Sequence, residues 1–98
     1  MIKKNGKGVY VWANGNKYDG DWELDIRNGF GTNTWKSGDT YSGQWVKGAR
    51  TGRGKYSWAN GDIYEGEFKG GNLDGYGKYI WADGRKYEGL WKQGQMVN

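Results

Sequence analysis

The sequence predicts an all-β protein: an elongated, single-layer antiparallel meander of tandem β-hairpin repeats, about eight strands in an open, twisted trough. Three observations predict it: a 23-residue period, a two-residue alternation inside each unit, and glycine at fixed strand and turn positions. The period comes first, because repeats decide architecture before local propensity does. Tyr18, Tyr41, Tyr64 and Tyr87 stand 23 apart, as do Gly20, Gly43, Gly66 and Gly89. Trp22, Trp45, Phe68 and Trp91 follow the same step, and so do Trp12, Trp35, Trp58 and Trp81. Glycine columns recur at Gly6, Gly29, Gly52, Gly75; at Gly8, Gly31, Gly54, Gly77; and at Gly15, Gly38, Gly61, Gly84. Chance does not produce so many aligned columns. Residues 1–98 therefore read as one array: a half unit 1–17, full units 18–40, 41–63 and 64–86, and a half unit 87–98.

Within Tyr64–Phe68 rings or glycines alternate with charged residues, and Gly75–Trp81 keeps the spacing of rings and glycines around Lys78. Alternation at period two marks strands with one buried face. The expected strands lie near 6–12, 18–23, 29–35, 41–46, 52–58, 64–69, 75–81 and 87–92. Parity then chooses between turns. A two-residue Asn60-Gly61 turn would split the aromatic residues between two faces. A three-residue loop, Ala59-Asn60-Gly61, pairs Tyr56 with Tyr64 and keeps the rings together, with Gly61 left-handed in a G1 bulge. The other connection, Lys69–Asp74, is read as a six-residue loop that pairs Phe68 with Gly75. Rows then cross the sheet: Tyr41, Tyr56, Tyr64, Tyr79, Tyr87, and beside it Gly43, Gly54, Gly66, Gly77, Gly89. Glycine weakens a strand unless something uses its bare backbone, and rings lying across it are that use. The opposite face carries Glu65 between Lys55 and Lys78, Arg53 beside Glu67, and Lys7 beside Asp21, an expected set of cross-strand ion pairs. Phe30, Tyr76 and Leu90 are its apolar exceptions.

The unit Y-x-G-x-W, G-x-G-x-Y-x-W, A-N-G, complete in Tyr64–Lys86, closely resembles the MORN (membrane occupation and recognition nexus) repeat over nearly the whole chain. Departures fall at Asp25, where Gly48, Gly71 and Gly94 stand in other units; at Asn33, where others have Tyr10, Tyr56 and Tyr79; and at Leu90, where Asp21 and Glu67 are acidic. The resemblance implies a spacer or docking platform, and the family name implies contact with a membrane surface.

Composition narrows the chemistry. Leu, Ile, Val and Phe are scarce, so the core must come from the 7 Trp and 8 Tyr, which carry large apolar area and a polar tip. With no His and no Cys, the commonest general base, a common nucleophile and the usual transition-metal ligands are missing. Glu65 and Glu67 share a strand face but have basic neighbours, and no phosphate-binding glycine motif opens a helix. No catalytic residue, metal site or cofactor is expected, and the chain reads as a non-enzyme. Nucleic acid is disfavoured, because the net charge of +4 is interleaved with acids. Met1–Trp12 contains no apolar run of signal-peptide length. The expected location is the cytoplasm, with attachment to cytoskeleton or membrane allowed. The leading expectation is a scaffold for a polypeptide partner, or for a second copy of itself. Its contacts would be Trp12, Trp35, Trp58 and Trp81 at the hairpin ends with Tyr18, Tyr41, Tyr64 and Tyr87. The alternative is an anionic or phosphoinositide-bearing membrane read by Lys47, Arg50, Arg53 and Lys55.

The glycine-row reading can be tested directly. Gly66→Val should destabilise by more than ~2 kcal/mol, because a branched side chain must overpack the row. Wild-type stability in an equilibrium urea melt would refute the packing scheme.

Overall fold

Strands form where rings and glycines alternate with polar side chains. The computed structural model describes residues 6–97, so the first five residues of the N-terminal half unit and residue 98 lie outside the described residues. Its strands are β1 (Gly6–Val11), β2 (Lys17–Glu23), β3 (Ile26–Thr34), β4 (Thr40–Val46), β5 (Ala49–Ser57), β6 (Ile63–Lys69), β7 (Asn72–Ile80), β8 (Lys86–Lys92) and β9 (Gln95–Met96). They make one sheet in chain order, every pair antiparallel, with no helix among the described residues. The sheet measures 48 × 23 × 16 Å, the proportions of a single elongated layer. The short β9, absent from the expected eight, pairs Met96 with Trp91.

The three-residue loops form as parity requires. Trp58 N–H donates to Asp62 O at 2.9 Å, Gly61 N–H donates to Trp58 O at 3.0 Å, and Gly61 has φ 102°. Tyr56 pairs with Tyr64, Tyr64 with Tyr79, and the glycine row runs Gly43, Gly54, Gly66, Gly77, Gly89.

The other connection corrects the six-residue loop. The chain reverses in two residues, at Leu24-Asp25, Lys47-Gly48, Gly70-Gly71 and Gln93-Gly94, each residue with φ between 49° and 90°. Paired positive φ values are the type I′ signature, whose twist matches the flanking strands. Glycine takes the second place except at Asp25, whose short polar side chain tolerates the left-handed region. Phe68 therefore faces Leu73, not Gly75, on this side. Gly66 still faces Gly77, so Glu67 alone opposes Asp74, Gly75 and Tyr76. Two extra residues, unlike one, leave side-chain parity intact, and the rings stay on one face.

This bulge frees one amide per unit from the ladder. Phe30 N–H donates to Asp21 Oδ2 at 3.0 Å, Arg53 N–H to Gln44 Oε1 at 2.7 Å, and Tyr76 N–H to Glu67 Oε1 at 2.7 Å. Asp21, Gln44 and Glu67 are thus three versions of one backbone cap. The expected ion pairs are corrected accordingly. Lys55, Glu65 and Lys78 are in register, as are Arg53 and Glu67, but among the described residues none of these pairs closes. Lys7–Asp21 does close, at 3.1 Å. Glu67 is already engaged by the Tyr76 amide, and exposed pairs such as Lys55–Glu65 gain little over hydration.

The buried spine lies over the glycines. Tyr18, Tyr41 and Tyr64 are fully buried, and their rings cross the bare backbone of Gly31, Gly54 and Gly77. Their hydroxyls donate to the carbonyls of Asp21, Gln44 and Glu67 at 2.8–2.9 Å. Between successive tyrosines stand Trp45, Phe68 and Trp91, edge to face, with centroids 5.0–5.6 Å apart. A side chain at Gly66 would place its Cβ 2.6 Å from Tyr76 O and 2.8 Å from the Tyr64 hydroxyl.

The cap assignment makes a prediction. Glu67→Leu should cost about 0.5–1 kcal/mol by removing the partner of the exposed Tyr76 amide, whereas Glu67→Gln should be nearly neutral, since Gln44 fills the same role in its own unit. Urea melts of the two variants decide; glutamine as damaging as leucine would remove the cap.

Candidate functional site

The aromatic face has two zones, and only one of them reaches solvent. Tyr18, Tyr41 and Tyr64 are sealed in the spine and offer nothing to a partner; Tyr87 is half-buried. Trp12, Trp35, Trp58 and Trp81 are half-buried along the margin where the three-residue loops turn. Each leans on a tyrosine: Trp35 on Tyr56 at 5.4 Å, Trp58 on Tyr56 at 4.6 Å and Tyr79 at 5.2 Å, Trp81 on Tyr79 at 4.8 Å. Trp12 meets Tyr10 at 4.9 Å. Their packed faces are core, and their remaining edges form a stripe with one indole per unit.

A carboxylate clamp holds this margin in place. Asp39 accepts the Ala59 amide at 2.8 Å and the Tyr56 hydroxyl at 2.9 Å; Asp62 accepts the Ala82 amide at 2.8 Å and the Tyr79 hydroxyl at 2.7 Å. One loop thereby fixes the next. In the first unit Asn16 still accepts the Lys36 amide, at 2.9 Å. It has only one acceptor oxygen, and the clamped tyrosine is replaced by Asn33. Asn33 is buried, with its Oδ1 accepting from Arg27 Nη1 at 3.2 Å. An open cleft of about 290 Å³ lies here between Trp12 and Trp35.

Arg27, which carries no expectation from the sequence, and Arg50, expected only as part of a basic cluster, both stand on this face. Arg27 sits 4.7 Å from the Trp45 ring centroid and 5.7 Å from that of Trp12. Arg50 sits 5.1 Å from Tyr56 and 5.6 Å from Trp35, and its Nη2 donates to Gly71 O at 2.9 Å. The signal was present, since 27, 50, 73 and 96 form a column of Arg, Arg, Leu and Met. The structure also disperses the four basic residues grouped by sequence proximity. Arg50 pairs with Trp45 on the aromatic face, Arg53 and Lys55 point exposed from the other, and Lys47 occupies a turn. Strand alternation separates neighbours in sequence, so Lys47, Arg50, Arg53 and Lys55 make no single patch.

Titration follows packing. Burial pushes the phenols of Tyr18, Tyr41 and Tyr64 up to about 12. Tyr79 is raised as well, by burial and by donating to Asp62. The same bond, with the Ala82 amide, holds Asp62 below the usual carboxylate range. Among the described residues no three carboxylate, histidine or cysteine side chains gather as a metal site.

A sheet of near-identical hairpins, joined by a continuous ring spine and edged by one half-buried tryptophan per unit, is a β-repeat array. The chain belongs to the MORN-repeat family, whose repeat pattern matches residues 2–17, 18–40, 41–63, 64–84 and 87–97. No curated protein matches it. The family consists of generally non-catalytic repeat modules, commonly serving protein or membrane interaction.

The raised phenols set an alkaline limit. Each folded value lies above the unfolded ~10, so the folded state binds the proton more tightly. That stability is complete below about pH 10 and is lost as pH rises towards about 12. Tyrosinate absorbance from these rings should therefore appear together with loss of the far-ultraviolet dichroism. Full ionisation near pH 10 with the sheet intact would contradict the spine.

Proposed function

We propose that the array is a non-catalytic scaffold that holds a polypeptide partner along the tryptophan margin of its aromatic face. The observation that carries this reading is the stripe of Trp12, Trp35, Trp58 and Trp81. These are half-buried rings repeated once per unit and held by packing, with the Asp39 and Asp62 clamps fixing the loops beside Trp35, Trp58 and Trp81. A preorganised aromatic with a free edge loses little entropy on binding, and tryptophan is among the residues most enriched at binding hot spots. A single-layer sheet also lacks a second layer to cover this margin. A second copy of the chain is an alternative occupant of the same stripe. Attachment to an anionic membrane would instead use the opposite face, where Arg53 and Lys55 are exposed.

The test is a substitution scan against a partner recovered by pull-down and then purified. Trp35→Ala, Trp58→Ala and Trp81→Ala, each checked for folding by circular dichroism, should include at least two losses of about tenfold or more, the scale of a hot spot. Lys55→Ala should bind normally. Folded tryptophan variants that bind normally while Lys55→Ala abolishes binding would move the working surface to the charged face.

A further inference from the structure

Arg27 and Arg50 occupy equivalent places in successive units, half-buried beside the tryptophan margin. Each spends a donor on a neutral acceptor, Asn33 Oδ1 for Arg27 and Gly71 O for Arg50. Among the described residues no carboxylate lies within 4.0 Å of either guanidinium. A guanidinium has five N–H donors in a rigid fork, so each retains capacity for a ligand. Arg50 also bears on the Tyr56 hydroxyl, and its charge reaches Arg27, whose own proton is held less tightly through burial and through this like charge. Two partly desolvated cations without counterions are costly, and an arriving anion relieves that cost.

Packing alone does not demand arginine here. Leu73 fills the same column position and packs against the core. Nor is the space closed. The cleft of about 290 Å³ beside Trp12 and a second of about 310 Å³ beside Arg50 share Arg27 and Trp35 in their walls. The two clefts adjoin at these residues and are taken together as the groove, the first of them lying where Asn33 replaces a tyrosine.

We propose that this groove reads acidic polypeptide, each guanidinium taking one carboxylate of an extended segment while its apolar side chains lie against the Trp12 and Trp35 edges. This rests on the scaffold reading above and specifies the partner's chemistry. Equivalent positions two strands apart lie about 10 Å from one another. An extended segment in the polyproline II form, with three residues per turn and about 3.1 Å of rise each, puts its first and fourth side chains on one face at about 9 Å. The preferred segment therefore has the form acid-x-x-acid. Charge complementarity favours peptide over membrane here, because these two cations are recessed between indoles. A flat lipid surface first meets the exposed Arg53 and Lys55 on the opposite face.

The probe is the fluorescein-labelled peptide Ser-Leu-Glu-Thr-Val-Glu-Leu-Ser, read by fluorescence anisotropy against its glutamine counterpart, Ser-Leu-Gln-Thr-Val-Gln-Leu-Ser. The acidic peptide should bind at least about tenfold more tightly, the scale of charge-assisted hydrogen bonds. Arg27→Gln and Arg50→Gln should each remove about tenfold from the acidic peptide and leave the glutamine peptide unchanged. Arg53→Gln and Lys55→Gln should alter neither by more than about twofold. Should a glutamine variant fail to fold, the peptide exchange decides alone, since it leaves the protein untouched. Equal binding of both peptides, lost in Trp35→Ala, would overturn the acidic reading and leave the scaffold standing. Binding to neither peptide overturns it too. If phosphatidylserine vesicles then bind in an Arg27-dependent way, the groove reads lipid instead.

Discussion

A tyrosine laid across the bare backbone of a neighbouring strand is the contact on which the rest of this structure depends. Tyr18, Tyr41 and Tyr64 cover Gly31, Gly54 and Gly77 so closely that a Cβ at any of those glycines would clash with the phenol hydroxyl and the ring edge beside it. A single sheet has no second layer to bury its hydrophobic face. Here the rings supply that layer, lying flat enough to seal themselves. The hydroxyl reaches a backbone carbonyl, so burial costs no unpaired polar group. The ring plane then dictates its neighbours: Trp45, Phe68 and Trp91 must meet it edge to face. Among the described residues the buried Trp91 Nε1 finds no partner. Trp22 and Trp45 reach glycine carbonyls at 3.0 and 3.1 Å.

The spine couples each unit to the next and leaves one margin to vary. Since every ring is shared between adjacent units, stability is a sum of neighbour contacts in the manner of linear repeat proteins. The clamps at Asp39 and Asp62 extend that coupling to the loops. Irregularity is concentrated in the first units. Asn16 and Asn33 depart together, and the pairing is chemical: an asparagine at 16 has no second carboxylate oxygen for a phenol, and position 33 has no phenol. The space the tyrosine leaves is bordered by Arg27, which turns a structural position into an open, positively charged groove.

The period, the strands, the three-residue loops and the tyrosine and glycine rows were legible because each depends on local spacing or on side-chain parity. Both survive in the linear sequence. The two-residue turns were not read, although Lys47-Gly48 and Gly70-Gly71 carry a type I′ pattern. A six-residue loop satisfies the same parity, so alternation could not distinguish them. Only the folded ladder shows Glu67 facing three residues and capping the Tyr76 amide. The margin of half-buried tryptophans was legible as a column, whereas its separation from the sealed tyrosines was not. Exposure depends on which ring lies over which glycine across the sheet, and for Arg27 and Arg50 it depends on the face to which alternation sends each side chain. Sequence by itself determined the repeat, its β character and the family. Tertiary structure alone decided which rings are surface and which cations stand together, because burial and charge proximity arise between residues on strands two places apart in the sheet, 23 residues apart in the chain and near one another only once the sheet has formed.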